Sequence, residues 1–251
     1  MVKSINAFSR IARRLLKENM INFKEIYEIL LEEYDRQGWW PLLAQGHDGP
    51  RGLYSPEYST RELNIKEQFE ICAGAILTQN TNWSNAERAL INLFNADALE
   101  PAKLADMDTA KIAELIRPSG YFNQKAKKLK AFSQFAQKKP QPDRNIFLSQ
   151  WGLGPETVDD MLLYAFNIPI FVVDVYTKRL FSRLNLCDEK IAYHDLQDKI
   201  MNDLVLDVIF FKEYHALIVR HAKEHCRKNP ACDGCPLSAC CEYEALVKAD
   251  L

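Results

Sequence analysis

Apolar residues recur at spacings of three and four along most of this 251-residue chain, and this periodicity most restricts its fold. Such spacing gathers apolar side chains on one face of an α-helix, whereas a half-buried strand would alternate apolar and polar residues. The segments with this pattern are 22–36, 67–78, 83–94, 122–136, 156–166 and 204–222. Only 168–175 is apolar enough to resemble a buried strand. We therefore predict an all-α protein.

Length and composition allow one large hydrophobic core or two smaller ones, and the length slightly favours two lobes. No apolar run reaches the length needed to cross a membrane. The formal net charge is -2, which argues against a protein that coats nucleic acid nonspecifically but is compatible with a local basic face. Lys125, Lys127, Lys128 and Lys130 form a local basic cluster. Such a run is more often a solvated helix face than a binding site.

Four cysteines near the end of the chain, Cys226, Cys232, Cys235 and Cys241, stand at C-x5-C-x2-C-x5-C. So many thiols within sixteen residues, with few apolar residues between them, are typical of an iron–sulfur or zinc site. A zinc ribbon more often has two C-x2-C pairs, and here there is one. We predict a [4Fe-4S] cluster, with zinc and with free or paired thiols as the alternatives.

The other cysteines are assigned from their surroundings. Cys240 directly precedes Cys241, so the fourth ligand stays open between these two residues. The start of the chain carries basic residues throughout and lacks an apolar stretch of signal-peptide length. We therefore expect a reducing, cytoplasmic setting in which disulfides are disfavoured. Cys72 and Cys187 lie in apolar, periodic segments, and we expect them in the core.

A short turn with two glycines, Gly152-Leu153-Gly154, leads into Pro155. Proline suits the first turn of a helix, where its missing N–H would be unpaired in any case. The free N–H groups of such a helix start, beside glycines that let the backbone come close, are able to receive a phosphate. As an isolated motif, this pattern is more often a simple connection between helices.

The order of the motifs resembles that of the endonuclease III superfamily of DNA glycosylases. Its helix-hairpin-helix turn, L-P-G-V-G, is similar to residues 150–154, and its V-D-T-H-like catalytic segment is similar to 173–176. The terminal four-cysteine loop is also found in many members, and the resemblance covers about 65–243. It implies that Asp174 is the catalytic carboxylate, which would stabilise an oxocarbenium-like sugar. An aspartate after an apolar run is equally typical of a helix N-cap, and the two roles are compatible.

Two further segments resemble parts of the family that face DNA. Residues 75–90 are similar to a helix whose glutamine probes the duplex, and 116–132 are similar to a second DNA-facing loop and helix. We expect a monomer whose partner is damaged double-stranded DNA. An enzyme that acts on a base must first take the nucleotide out of the stack. The residues implied in DNA contact are Gln79, Tyr121, Phe122, Gly152, Leu153 and Gly154.

One departure from the family concerns the reaction type. Bifunctional members carry a lysine two residues after the last glycine of the hairpin, and here that position is Glu156. A carboxylate cannot form the imine through which such a lysine cuts the strand. The resemblance therefore implies a monofunctional glycosylase that hydrolyses the base from the sugar.

A second departure from the family concerns the cysteines. The spacing between the first two, Cys226 and Cys232, is one residue shorter than the family's usual six.

The segment Trp39-Trp40-Pro41 resembles the 3-methyladenine DNA glycosylase III subgroup, in which adjacent tryptophans line the base pocket. An alkylated purine is cationic, so an electron-rich aromatic slot would hold it by stacking and by cation–π attraction. Without the resemblance, such a segment is more often a packing element. Members of that subgroup can lack the iron–sulfur cluster.

Three functions therefore remain open. The first is base excision repair of alkylated purines such as 3-methyladenine. The second is excision of mismatched or deaminated pyrimidines, for which the pocket would need hydrogen-bonding groups. The third is a noncatalytic, cluster-bearing DNA-binding module. By resemblance, 60–168 forms a six-helix lobe that ends in the hairpin, and 1–59 with 169–251 forms a second helical lobe that carries the cluster and the two tryptophans.

Overall fold

The computed structural model describes residues 21–46, 49–56, 61–241 and Tyr243. This part of the chain is mostly helical, as predicted. The α-helices are α1 (Phe23–Tyr34), α2 (Ile65–Thr78), α3 (Trp83–Asn95), α4 (Pro101–Asp106), α5 (Thr109–Leu115), α6 (Phe122–Ala136), α7 (Arg144–Leu148), α8 (Pro155–Asp160), α9 (Val175–Arg183), α10 (Tyr193–Asp203) and α11 (Val208–Glu224). Helix α8 continues as a π-helical segment, Met161–Ala165, and short 3-10 helices cover Arg117–Ser119 and Ser238–Cys240. None of these helices is long and apolar enough to span a membrane.

The strands lie elsewhere than the apolar pattern suggests. An antiparallel hairpin joins β1 (Leu42–Gly46) to β2 (Gly49–Leu53), with Leu42 opposite Leu53 and Gly46 opposite Gly49. The apolar segment 168–174 forms no strand, and its residues Phe171, Val172 and Val173 are buried as irregular chain that leads into α9. The hairpin was not predicted because its strands are short and rich in glycine and proline.

Local capping explains where several helices begin. Asn22 and Asn64 each accept a hydrogen bond from the N–H of a glutamate three residues on, and the glutamate side chain accepts from the asparagine N–H in return. Helices α4, α5 and α7 contain only six, seven and five residues, too few for the periodicity to predict them. Their visible signals are Pro101 at the first turn and the N-caps Asp108 and Asp143.

The chain folds into two compact units, and one of them covers Gly38–Ile170. Helix α2 is its central element, since every residue from 69 to 77 is buried. Helix α2 packs against α3, α6, α8 and the π-helical segment. Phe132 of α6 stacks on Phe69 with ring centroids 6.2 Å apart and meets Phe147 at the same distance. The unit thus surrounds one buried helix with amphipathic ones.

The second unit combines residues up to Gln37 with Phe171 and all that follows. Its core is aromatic. Tyr214 of α11 is fully buried, and its hydroxyl donates to the Phe23 carbonyl at 2.6 Å. Phe171 and Phe181 pack edge-on against the same ring. The unit boundaries differ from the predicted lobes, because the described residues from 38 to 56 belong to the first unit.

Candidate functional site

The glycine turn forms the predicted connection into α8, and its two glycines have different roles. Gly152 has a φ of +85°, and a Cβ there would lie 2.8 Å from Cγ and Cε of Lys128. Only glycine tolerates this conformation and this approach. Gly154 is the N-cap of α8, and a Cβ there would meet nothing within 4 Å. Leu153 between them is buried as an anchor. The backbone at Gly154 is therefore open to a partner.

Gln79 lies at the C-terminal end of α2 and is tied to this glycine turn. Its Nε2 donates to Thr157 Oγ1 at 2.9 Å and to the Gly152 carbonyl at 3.3 Å. Its Oε1 accepts from Lys128 Nζ at 2.6 Å. The predicted probe residue and the predicted hairpin thus form one hydrogen-bonded group. The sequence did not indicate Lys128 or Thr157 as members of it.

The basic run on α6 is not the solvated face that its composition suggests. Lys125 is buried, and its Nζ donates to the carbonyls of Leu77 and Ser119, both at 2.7 Å. Desolvation, with a smaller effect of the Lys128 charge, lowers the pKa of Lys125 to about 8. Lys130 donates to the Met107 carbonyl at 2.7 Å. These lysines connect neighbouring elements, and Lys127 is the exposed member of the run.

Aromatic side chains with exposed surface lie at the start of α6 and in the glycine turn. Tyr121 is 72% exposed and has a φ of +44° at the N-cap of α6. Phe122 is half-buried, with the Arg117 guanidinium 5.7 Å from its ring centroid. Trp151, next to Gly152 in the turn, is 59% exposed. Large exposed aromatics beside an open backbone suit contact with a partner. Tyr121 and Phe122 were predicted in this role, and Trp151 was not.

Trp39 and Trp40 lie in an aromatic cluster with Trp83 and Tyr164. The Trp39 ring centroid is 4.8 Å from that of Trp83, and the Trp40 centroid is 5.2 Å from Trp83 and 5.5 Å from Tyr164. Both tryptophans belong to the unit Gly38–Ile170, and not to the unit of Asp174 as expected. Trp83 and Tyr164 were missed because the sequence shows them as ordinary helix residues.

The two tryptophans differ in exposure. Trp40 is 5% exposed, and its ring lies so close to Gly74 that a Cβ there would be 2.9 Å from Cζ2. Its buried indole Nε1 has no hydrogen-bond partner among the described residues. Trp39 is half-buried, and Pro41 is buried. Trp39 therefore keeps some access to solvent, whereas Trp40 packs in the interior.

Asp174 is buried at the N-cap of α9, where its Oδ1 accepts from Thr177 N at 2.7 Å and from Thr177 Oγ1 at 2.8 Å. Its Oδ2 lies 3.6 Å from Nε2 of the buried His215 on α11. Burial acts most strongly and raises the pKa of Asp174, but His215 and Thr177 together outweigh it, so the pKa lies below its ordinary value. Asp174 is thus a buried carboxylate whose surroundings favour its ionised form. His215 was not predicted.

Four cysteines line one small cavity next to α9 and α11, and they are the predicted ligands Cys226, Cys232, Cys235 and Cys241. Burial and then the neighbouring cysteines raise the pKa of Cys235 to about 12. Cys240 is not in this lining, and its Sγ donates to the Leu237 carbonyl at 3.2 Å. This geometry favours Cys241 over Cys240 as the fourth ligand.

Four cysteines around one cavity are a ligand set that both iron–sulfur clusters and zinc ions take. Within the described ranges, no three or more His, Cys, Asp or Glu side chains are grouped so that they could hold one metal ion. Of these four cysteines, Cys226 is buried and the other three are half-buried, so their thiols ionise more easily beside a positive charge, which a bound cluster or zinc ion would supply. Arg183 Nη1 lies 3.3 Å from Cys226 Sγ and also donates to the Arg227 carbonyl at 2.7 Å. The sequence did not indicate Arg183.

The remaining cysteines follow the expectation in part. Cys72 is fully buried on α2, as predicted, and burial raises the pKa of its thiol far above the ordinary value. Cys187 is only half-buried, in the connection between α9 and α10.

Glu156, at the position of the family's lysine, is exposed in the first turn of α8.

Comparison with known proteins agrees with this geometry. Residues 73–204 match the family described as HhH-GPD superfamily base excision DNA repair protein. A candidate DNA repair glycosylase of Methanocaldococcus jannaschii is 40% identical over 240 residues, which cover 90% of this chain and 99% of that protein.

Solved structures are similar as well. The 3-methyladenine DNA glycosylase MagIII of H. pylori, solved with 1,N6-ethenoadenine, has a TM-score of 0.59 and 27% identity over 84% of this chain and 97% of its own. An endonuclease III bound to DNA has a TM-score of 0.72 at 16% identity, over 92% of this chain and 100% of its own, which shows the shared fold. The chain therefore belongs to the HhH-GPD superfamily of base excision repair DNA glycosylases, whose solved structures include complexes with DNA.

Proposed function

We propose that this protein is a monofunctional DNA glycosylase that hydrolyses the N-glycosidic bond of alkylated purines such as 3-methyladenine. The observation that carries the proposal is the buried carboxylate of Asp174, which accepts two hydrogen bonds from Thr177 and lies 3.6 Å from His215 Nε2. A fixed negative charge of this kind stabilises the cation that the sugar becomes as the base departs.

The reaction needs few groups when the base is already cationic. The glycosidic bond breaks, and its electron pair moves to the purine nitrogen and neutralises the leaving base, so no strong general acid is required. The oxygen of a water molecule then bonds to the anomeric carbon and loses a proton to the Asp174 carboxylate. The product is an abasic site in an uncut strand.

Two features support the substrate class. Trp39 is half-buried in the aromatic cluster with Trp83, and its partly accessible ring suits stacking on a cationic purine. The similar MagIII is named as a 3-methyladenine DNA glycosylase and was solved with a modified adenine. Trp40 and Pro41 are buried, and we assign them to support of the Trp39 ring.

Contacts to DNA are proposed for the group around the glycine turn. Gly154 leaves the backbone open, so we infer that the turn 152–154 receives a phosphate beside the lesion. Gln79 would leave its hydrogen bonds to Thr157 and Gly152 to fill the space of the extruded nucleotide. Tyr121 or Phe122 would wedge the opposite strand.

A [4Fe-4S] cluster is proposed on Cys226, Cys232, Cys235 and Cys241, where it would hold the C-terminal loop in place. Arg183 supports the same loop by donating to the carbonyls of Arg227 and Lys228. Because such thiolates need a reducing setting, we propose that the protein acts in the cytoplasm, as a monomer on DNA.

A panel of duplexes, each with one lesion, tests the proposal. We expect base release from 3-methyladenine duplexes, strand breaks only after alkali, and no covalent complex with borohydride, since Glu156 offers no amine. Strand cleavage without alkali together with trapping would contradict the monofunctional assignment. Preference for uracil or thymine opposite guanine would favour the pyrimidine alternative. Tight DNA binding without release of any base would favour the noncatalytic module.

A further inference from the structure

We propose that His215 is a positioning residue for Asp174, which fixes the carboxylate oxygen that faces the reacting sugar and keeps it ionised. The inference rests on the proposed function of Asp174 as the catalytic carboxylate. It concerns a histidine that lies on another helix, α11, and that no sequence motif indicates.

The two oxygens of Asp174 have separate partners. Oδ1 accepts both hydrogen bonds from Thr177, at 2.7 Å to N and 2.8 Å to Oγ1, and this oxygen performs the N-cap function of α9. Oδ2 takes no part in the cap and lies 3.6 Å from His215 Nε2. An N-cap needs only one oxygen. The second oxygen is therefore the one available for chemistry, and His215 is the side chain that controls it.

Burial makes this control necessary. Asp174 is 8% exposed and His215 is 6% exposed, so water does little to stabilise the carboxylate charge. The separation of 3.6 Å is longer than an ordinary hydrogen bond. Such contacts often tighten only when the substrate is bound. In a buried setting, attraction from a nearby imidazole favours the ionised carboxylate whenever the ring is protonated.

Other charged or polar groups also lie around Asp174. Lys223 of α11 interacts with the Asp174 charge from a greater distance and is exposed. The Tyr193 hydroxyl of α10 accepts a hydrogen bond at 3.4 Å from the backbone N–H of Val173, the residue before Asp174. This contact involves the backbone and not the Asp174 carboxylate. Thr177 of α9 carries no charge. Of these groups, His215 lies closest to Oδ2, at 3.6 Å.

Two substitutions separate its roles. His215→Phe removes the donor and the charge, whereas His215→Gln keeps an N–H that reaches the place of Nε2 without a charge. His194→Phe is the control, because His194 is an exposed histidine on α10. Each variant is measured for single-turnover base release between pH 5 and 8, for DNA affinity and for thermal unfolding. Titration of the Asp174 carboxyl by carbon NMR is measured on the free protein.

We expect His215→Phe to lower the single-turnover rate at least tenfold with an unchanged dissociation constant for DNA. Because loss of His215 raises the pKa of Asp174, the rate of this variant should begin to fall at a higher pH as the solution is acidified. His215→Gln should recover most of the rate at neutral pH. The NMR midpoint of Asp174 should move upward in His215→Phe, while His194→Phe should match the wild type throughout.

An unchanged Asp174 midpoint in the His215 variants would overturn the inference, whether or not the wild type releases a base. So would a normal rate and pH profile in His215→Phe. If His215→Phe fails to fold, His215→Gln decides the question by the Asp174 midpoint alone, which should still move upward because the amide carries no charge. A wild type that releases no base while its Asp174 midpoint depends on His215 would contradict the proposed function and retain the electrostatic link.

Discussion

At the scale of single residues, Asp174 has a structural task as an N-cap and a proposed chemical task in the same side chain. Its cap contacts to Thr177 serve the fold, and its charge serves the proposed reaction. Asparagine is as good an N-cap as aspartate, so the Asp174→Asn variant should fold. We expect it to lose on the order of a hundredfold or more in single-turnover excision while DNA binding persists. A folded variant that excises at the wild-type rate would leave Asp174 with only its structural task.

The adjacent tryptophans should respond differently to truncation. Trp39→Ala should slow excision of 3-methyladenine. The expected loss of transition-state stabilisation is about 1 to 3 kcal/mol, the range for loss of a stacked aromatic partner. Trp40→Ala empties a packed site beside Gly74 and should lower the free energy of unfolding by about 3 to 5 kcal/mol. Excision kinetics and thermal unfolding of both variants check this division. Equal effects of the two variants on folding would show that Trp39 is only a packing residue.

At the scale of elements, the glycine turn offers a matched pair of substitutions. Gly152→Ala places a Cβ against Lys128 at a φ of +85° and should destabilise the fold by about 1 to 3 kcal/mol. Gly154→Ala adds a methyl group to open space and should leave the unfolding temperature nearly unchanged. If the turn receives a phosphate there, Gly154→Ala should still weaken binding to lesion DNA. Unchanged affinity in Gly154→Ala would show that the turn is only a connection between helices.

The cysteine loop is the second element with its own prediction. Protein purified without oxygen should be brown and absorb near about 400 nm, as thiolate-bound clusters do. Cys241→Ser should lose this absorbance, because Cys241 lines the cavity of the other three ligands. Cys240→Ser is the control and should keep it, since Cys240 Sγ bonds the Leu237 carbonyl. Stoichiometric zinc without iron or sulfide in the purified protein would reject the cluster.

At the scale of the whole molecule, one buried carboxyl makes stability depend on pH. Glu70 of α2 accepts from Leu43 N at 2.6 Å, and burial, the largest influence, raises its pKa from 4.5 to about 7. The folded protein therefore keeps a proton that the unfolded chain releases. Stability should fall as the pH rises from about 4.5 to about 7, and the loss should be complete above that range.

Glu70→Gln tests this linkage because the amide keeps an oxygen for Leu43 and does not ionise. The variant should be more stable than the wild type by on the order of 2 to 3 kcal/mol at about pH 8, and by almost nothing near pH 4.5. Urea unfolding at both pH values measures the difference. Glu62→Gln on the exposed surface is the control. The same pH dependence in the wild type and Glu70→Gln would contradict the assignment.

The prediction of the fold from sequence succeeded where a signal is local. Apolar spacing identified the long helices, such as α2, α3 and α6, because each buries one or more faces over several turns. It missed α7, because a helix of five residues is too short for apolar residues to recur at helical spacing. The order of the glycine turn, Asp174 and the cysteines was enough to indicate the family that the comparison shows.

The sequence by itself determined the helical class, several helix starts, and the residue types available for the proposed contacts to a phosphate, a sugar cation and a cluster. The tertiary structure decided which of them meet. It joined Gln79 to Gly152 across 73 residues, turned Oδ2 of Asp174 toward His215, and buried Lys125 within a run that looks solvent-exposed. Periodicity and caps act between near neighbours in the chain, whereas these contacts depend on how distant helices pack, and no local pattern encodes that packing.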